Sequence, residues 1–185
     1  MDVWQLIARD HANITDLIRE IPYALNGPGV VRSREQLLAD LIDELDAHAE
    51  AIDASLLEPL SAHNRASGLI SDLRREDHQV MQQLDQLAAY RGKGSQGWLN
   101  TFEDVTYLVD QHLSRHTNEL LPLAREVLSS EQVQNATSTF IRAKMRALQS
   151  GTRSRPQTAA GGGLFGAVAV LAAVALGLIA LRSAL

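Results

Sequence analysis

Each of four amphipathic helical segments carries a histidine on or beside its apolar stripe, and that recurrence constrains the fold more than any other feature of the 185-residue chain. Val3, Leu6, Ile7, Ile14, Leu17, Ile18 and Ile21 recur at helical spacing, with His11 among them. A second stripe, Leu38, Leu41, Leu45, His48, Ile52 and Leu56, follows a Ser33/Gln36 capping box and ends at Pro59. The third, over 67–90, has Leu73, Val80, Met81, Leu84 and Leu87, with His78 three before Met81. The fourth starts near Trp98 and runs through Phe102, Val105, Leu108, His112 and His116 to a kink at Pro122. Glycine-rich turns at 26–29 and 92–97 separate the segments.

Four long helices with short connections predict an all-α, antiparallel up-and-down four-helix bundle over 1–127. A short fifth helix is expected over 128–150, and the sequence leaves open whether it packs on the bundle. Counted from one end of such a bundle, His11, His48, His78 and His112 all lie roughly 13–17 Å deep. His116 shares a helix face with His112, and Glu119 falls within about 60° of them. An internal repeat runs parallel to this: DHxx[IM]xxL occurs at 10–17 and at 77–84, and LLEPL at 56–60 is matched by ELLPL at 119–123. Aligning the prolines sets Asp53 opposite His116, which supports Asp53 as a ligand position. Several imidazoles crowded at one level of a dry core would leave nitrogens unsatisfied, and a divalent cation satisfies them together. His63 lies in a turn and is expected at the surface.

On these residues the chain resembles the hemerythrin family, in particular HHE-type cation-binding domains, over about 1–127. The resemblance implies a bundle that holds non-haem iron, as two ions bridged by carboxylates, with an open position for dioxygen. It implies His11, His48, His78, His112 and His116 as terminal ligands. The chain departs from the HHE pattern at the carboxylates, because Ile52 and His116 stand where HxxxE places glutamates. Asp53, Glu119 and Glu44 are the candidates for a bridge, and one metal or two are both compatible with the set. Imidazole with carboxylate also suits manganese or zinc. Asp10 and Asp77, each preceding a histidine, read as surface carboxylates or as partners of the ligating imidazoles.

The end of the chain has a different character. Residues 164–181 are eighteen consecutive uncharged, apolar positions, following a linker at 151–163. At 1.5 Å per residue they cover roughly 27 Å, which predicts a C-terminal transmembrane helix. Arg142, Lys144, Arg146, Arg153 and Arg155 precede the run and only Arg182 follows it, so the bundle is expected to face the cytoplasm. Ala169, Ala173 and Gly177 form a small-residue stripe on which two spans could pair as a homodimer. No cleaved leader is expected at the N-terminus. A net charge of −5 argues against nucleic acid as a partner, and the lack of cysteine excludes disulfides and thiolate ligands. The leading expectation is a membrane-anchored, hemerythrin-like protein that binds or senses O2 or another small oxidant such as NO. The rivals are a di-iron oxidase or peroxidase and a metal-free structural or signalling bundle. The apolar lining of Ile14, Ile52 and Met81 offers no acid or base, which favours binding over turnover.

Overall fold

The computed structural model describes residues 1–25 and 33–154, with side chains as far as Gly151. All regular structure among these residues is helical. The long elements are α1 (Val3–Glu20), α2 (Arg34–Ile52), α3 (Ser67–Ala89), α4 (Gln96–Arg115) and α5 (Ser130–Ser154). Their starts are written in the sequence. Asp2 accepts from the Gln5 amide at 3.0 Å while Gln5 returns to the Asp2 amide, and Ser33 with Gln36 forms the expected capping box. Ser129 with Gln132 repeats this arrangement ahead of α5, and Ser95 accepts from the Trp98 amide. Each cap satisfies an amide that a helix start leaves without an intrahelical acceptor.

The ends of α2 and α4 are governed by their prolines. α2 runs into a π-helical turn, Asp53–Leu57, and α4 into another, His116–Leu120. After each turn the next amide reaches back five residues, from Glu58 to the Asp53 carbonyl and from Leu121 to the His116 carbonyl. A proline follows one residue later in both cases. Its ring would crowd the carbonyl four residues back, and the wider turn makes room. The repeat read from the sequence is therefore structural: Asp53 and His116 occupy equivalent positions, each opening a π turn.

The apolar core is divided in two. One cluster contains Val3, Ile7, Ala51, Ile52, Leu56, Leu73, Leu120, Ala124 and Phe140. The other contains Ile14, Ile21, Leu41, Leu45, Val80, Leu84, Trp98, Val105, Val109 and Leu113. Following the chain, α1 passes from the first cluster to the second, α2 returns, α3 crosses again and α4 returns, which is the up-and-down topology. Each fully buried leucine or isoleucine in these clusters contributes about 1.5–3 kcal/mol. At the far end, Arg34 closes the second cluster by donating to the carbonyls of Ile21, Pro22 and Lys93, with its guanidinium over the Trp98 ring. The Trp98 indole in turn donates to the Leu87 carbonyl.

The fifth helix differs from the expected short element. It spans 25 residues and continues through the first residues of the expected linker as far as Ser154. Ala136, Phe140, Ala143 and Ala147 are buried along one side, and its main neighbour is α2. Spacings of four, three and four keep these side chains on one stripe, and its three alanines let α5 lie close against the bundle. No described helix is long and apolar enough to cross a membrane, and the apolar run 164–181 lies outside the described residues.

Candidate metal centre

The gap between the two apolar clusters is filled by polar side chains. In α1 the buried stripe is Val3, Ile7, Asp10, Ile14, with steps of four, three and four, so Asp10 occupies a core position at only 4 % exposure. In α3 the same spacing runs Leu73, Asp77, Val80, Leu84, which turns Asp77 inward. α2 contributes His48, α4 contributes His112, and the π turn after α4 contributes His116, all three buried. His11 follows Asp10 and comes in from the flank. The level predicted by counting residues from one end is thus a physical layer, with Ile7, Ala51, Leu73 and Leu120 on one side and Ile14, Leu45, Val80 and Leu113 on the other.

His11, His48 and His116 converge, each offering a ring nitrogen, with these atoms all within 4.8 Å of one another. His48 Nδ1 lies 2.7 Å from Asp10 Oδ2, and His48 Nε2 lies 3.2 Å from His116 Nδ1. A carboxylate only accepts, so the proton of His48 sits on Nδ1. His48 Nε2 then carries a lone pair, and His116 Nδ1 donates to it. That leaves the remaining nitrogen of His116, Nε2, as a buried acceptor with no donor, and His11 Nε2 is likewise sealed from solvent without a partner. Leaving such atoms unmatched costs about 1–3 kcal/mol each. Burial, reinforced by neighbouring imidazoles, draws His11 down to about 3. Burial also draws His48 down to about 4 and takes His116 well below the ordinary histidine value. The three rings are therefore neutral at pH 7, the form that ligates metals.

His112 is in a different state. Its ring stands 4.3 Å from that of His116, centroid to centroid. Its Nδ1 is 3.1 Å from Glu76 Oε2 and its Nε2 2.8 Å from Asp77 Oδ1, the latter an ion pair too poorly aligned to count as a hydrogen bond. Burial works to lower its pKa, but the Asp77 and Glu76 carboxylates outweigh burial and raise it. His112 is the imidazole of the layer whose protonated form its neighbours favour. Arg115 holds Glu76 from the other side.

Three of the expected ligands are turned elsewhere. His78 is exposed, because the stripe of α3 passes through Asp77 and the next residue is rotated about 100° away. Asp53, although it opens the π turn equivalent to the one at His116, is half-exposed and pairs with Arg74 at 2.6 Å. Glu119 is exposed and receives two hydrogen bonds from Arg115, at 2.8 and 3.0 Å. That pairing holds its carboxyl below the ordinary value. Glu44 is buried, with burial raising its carboxyl to about 7, but it faces a lysine rather than the imidazoles. His63 lies half-buried in its turn, away from the layer.

That lysine is Lys144 of α5. It contacts Asp10 and lies 2.8 Å from Glu44 Oε1. Burial alone draws its ammonium down to about 7, and the two carboxylates at its Nζ pull the other way. Sequence reasoning missed Lys144, Glu76 and the inward position of Asp77. The last was legible as the residue fitting a Leu73–Val80–Leu84 register. The expected absence of an acid or base near the site is also corrected, since His112, Asp77 and Glu76 stand together beside His116.

Against known proteins, the family model described as Hemerythrin HHE cation binding domain matches residues 2–124. Among solved structures, the crystal structure of a hemerythrin HHE cation binding domain-containing protein from Mycobacterium kansasii superposes with a TM-score of 0.69 at 22% identity. That match covers 84% of this chain and 94% of the other. No curated protein matches the sequence.

Proposed function

The chain belongs to the hemerythrin HHE cation-binding domain family, and on that premise we propose that its polar layer holds non-haem iron and binds or senses O2 or a related small oxidant such as NO. The observation that carries the reading is the pair of orphaned, buried nitrogens, His11 Nε2 and His116 Nε2, beside a His48 whose tautomer is fixed by Asp10. The donor set fits a cation: three neutral imidazoles converge, and a carboxylate holds the far nitrogen of one of them, as is usual for metal-ligating histidine. His11, His48 and His116 would hold the first ion. If a second is held, His112 and Asp77 are the adjoining donors, and Asp77 takes the carboxylate role expected of Asp53 or Glu119. Iron held there supplies a redox-active centre with affinity for O2 and NO, and manganese or zinc suits the same donors.

The chain's own residues do the rest. Ile7, Ala51 and Leu120 on one side and Ile14, Leu45 and Leu113 on the other keep bulk water from the imidazoles. A groove of about 390 Å³ between α2, α3 and α5 is lined by Asp77 together with Arg74 and Arg146, and it offers a small ligand an approach to the His112 side. The second reading, an oxidase or peroxidase, draws support from His112: an imidazole whose proton is held more tightly by Asp77 and Glu76, set beside His116, is a proton-transfer group of the kind proton-coupled turnover needs. Anaerobic loading of the purified chain with Fe(II), followed by spectra before and after admission of O2 or NO, separates the two. A stable, reversible ligand-dependent band supports binding or sensing. Steady consumption of O2 or added peroxide supports turnover, and the absence of both a spectral change with either gas and any consumption overturns both.

The apolar run at 164–181 supports reading the chain as a single-pass membrane protein with its bundle on the cytoplasmic side and the small-residue stripe as a pairing face. Protease added outside intact cells should leave the bundle uncut; its removal would contradict the orientation.

A further inference from the structure

α5 lies beyond the stretch that matches the family model, yet it reaches the centre of the site. The Lys144 side chain is 12% exposed and its Nζ sits on Asp10 Oδ1 and on Glu44 Oε1. The other oxygen of Asp10 meets His48 Nδ1, and the far nitrogen of His48 faces the converging imidazoles. The result is a continuous line of contacts, Lys144 to Asp10 to His48, from a peripheral helix to the candidate ligand atoms.

The chemistry of this line is directional. An ammonium has three donors and no acceptor, so the Asp10 oxygen facing it can only accept. With Oδ1 pinned by Lys144, Oδ2 of the carboxylate is turned to His48, and since a carboxylate oxygen accepts, His48 Nδ1 is the donor. The proton of His48 is thereby kept on the side away from the cluster, and the lone pair of Nε2 is turned toward it. Without the ammonium nothing pins the carboxylate at Oδ1. The carboxylate can then turn away from His48, and the imidazole, with no acceptor at Nδ1, is free to carry its proton on Nε2, where a ligand lone pair is needed.

We propose that Lys144 is a positioning residue for the metal centre: through Asp10 it fixes the His48 tautomer that offers Nε2 to a cation, which makes α5 part of the site. The proposal rests on the reading of the layer as a cation site, but its first consequence is a property of the metal-free protein. Long-range proton–nitrogen NMR spectra of the full chain, stripped of metal and labelled with ¹⁵N-histidine, report which ring nitrogen of His48 carries the proton. The wild type should show it on Nδ1. Lys144→Met should give a mixture or the Nε2–H form, and Lys144→Arg, which keeps a cationic donor, should restore Nδ1–H. In parallel, titration with Co²⁺ should show affinity about 10–100-fold weaker in Lys144→Met and recovered in Lys144→Arg, the size of loss usual when a partner of a ligating histidine is disturbed.

Should Lys144→Met fail to fold, Lys144→Leu takes its place, since it too has no donor for Asp10. A folded neutral variant that keeps the wild-type Nδ1–H signal, with Co²⁺ affinity within twofold of wild type, overturns the proposal. Failure of the wild type to bind Co²⁺ would instead count against the cation-site reading, and the tautomer comparison would still decide the role of Lys144.

Discussion

Replacing His11 by leucine separates what the polar layer does for the fold from what it does for a metal. The His11 side chain makes no described hydrogen bond, and its Nε2 is buried without a partner. Removing that atom relieves a desolvation cost of about 1–3 kcal/mol. Leucine is close in volume and continues the apolar contacts of Ile7 and Ile14, with a repacking cost below about 1.5 kcal/mol. The metal-free variant should therefore be more stable than wild type by about 1–2 kcal/mol, raising Tm by about 2–8 °C in a domain of this size. The sign of the pH dependence adds a second reading. Burial puts the folded pKa of His11 near 3 against about 6.5 unfolded, so between these values the unfolded chain binds a proton that the folded chain lacks. Stability is lost as pH falls below 6.5, at up to about 1.4 kcal/mol per unit from this residue, and the leucine variant lacks that share. The assay is urea or thermal unfolding in chelator at pH 7.5 and 5, with and without added metal. A ligand at 100 times its Kd should stabilise wild type by about 2.7 kcal/mol and leave the variant unmoved. Lower stability of His11→Leu in chelator at pH 7.5 would show that His11 serves the fold, and would refute the argument from orphaned nitrogens.

Asp10→Asn keeps the shape of the His48 partner but can present an N–H to Nδ1; metal affinity should fall about 10–100-fold, measured by competition with a chromophoric chelator, and an unchanged affinity would count against the Asp10–His48 line. The exposed pairs Asp53–Arg74 and Glu119–Arg115 should matter little: Asp53→Ala and Glu119→Ala should each cost less than about 1 kcal/mol in urea unfolding and leave metal content unchanged. His112→Gln removes the imidazole held by Asp77 and Glu76; on the second reading it should slow peroxide consumption more than it lowers the content of the first metal, a split read by parallel rate and metal assays.

The bundle and the depth of its polar layer were legible because they follow from two periodicities: helical stripes with clear breakers, and histidines at equal distance from one end. The proline repeat also held, since a proline near the end of a helix imposes the same turn twice. The choice of side chain within each Asp-His pair was not legible. At 10–11 and 77–78 the aspartate takes the core position, yet His11 still enters from the flank while His78 stays outside. One step along a helix turns a side chain about 100°, and a stripe read with Met81 in it fits His78 nearly as well as the true register fits Asp77. Asp53 and Glu119 had the right spacing but also had arginines within reach, and spacing says nothing of cross-helix pairing. Lys144 was hidden for the opposite reason: it sits beside a stripe of three alanines and Phe140 on a helix expected to be short, and only the packing of α5 on α2 brings it to Asp10.

The direct test of the metal centre is the metal retained after anaerobic Fe(II) loading and desalting of the full chain, compared between wild type and single alanine variants. Wild type should hold at least about one iron per chain, His11→Ala, His48→Ala and His116→Ala should each lose most of it, and His78→Ala and His63→Ala should keep it, in line with their places in and out of the layer. A wild type that retains none, or a His78→Ala variant that loses as much as His116→Ala, would contradict the assignment of the three converging histidines as the cation site.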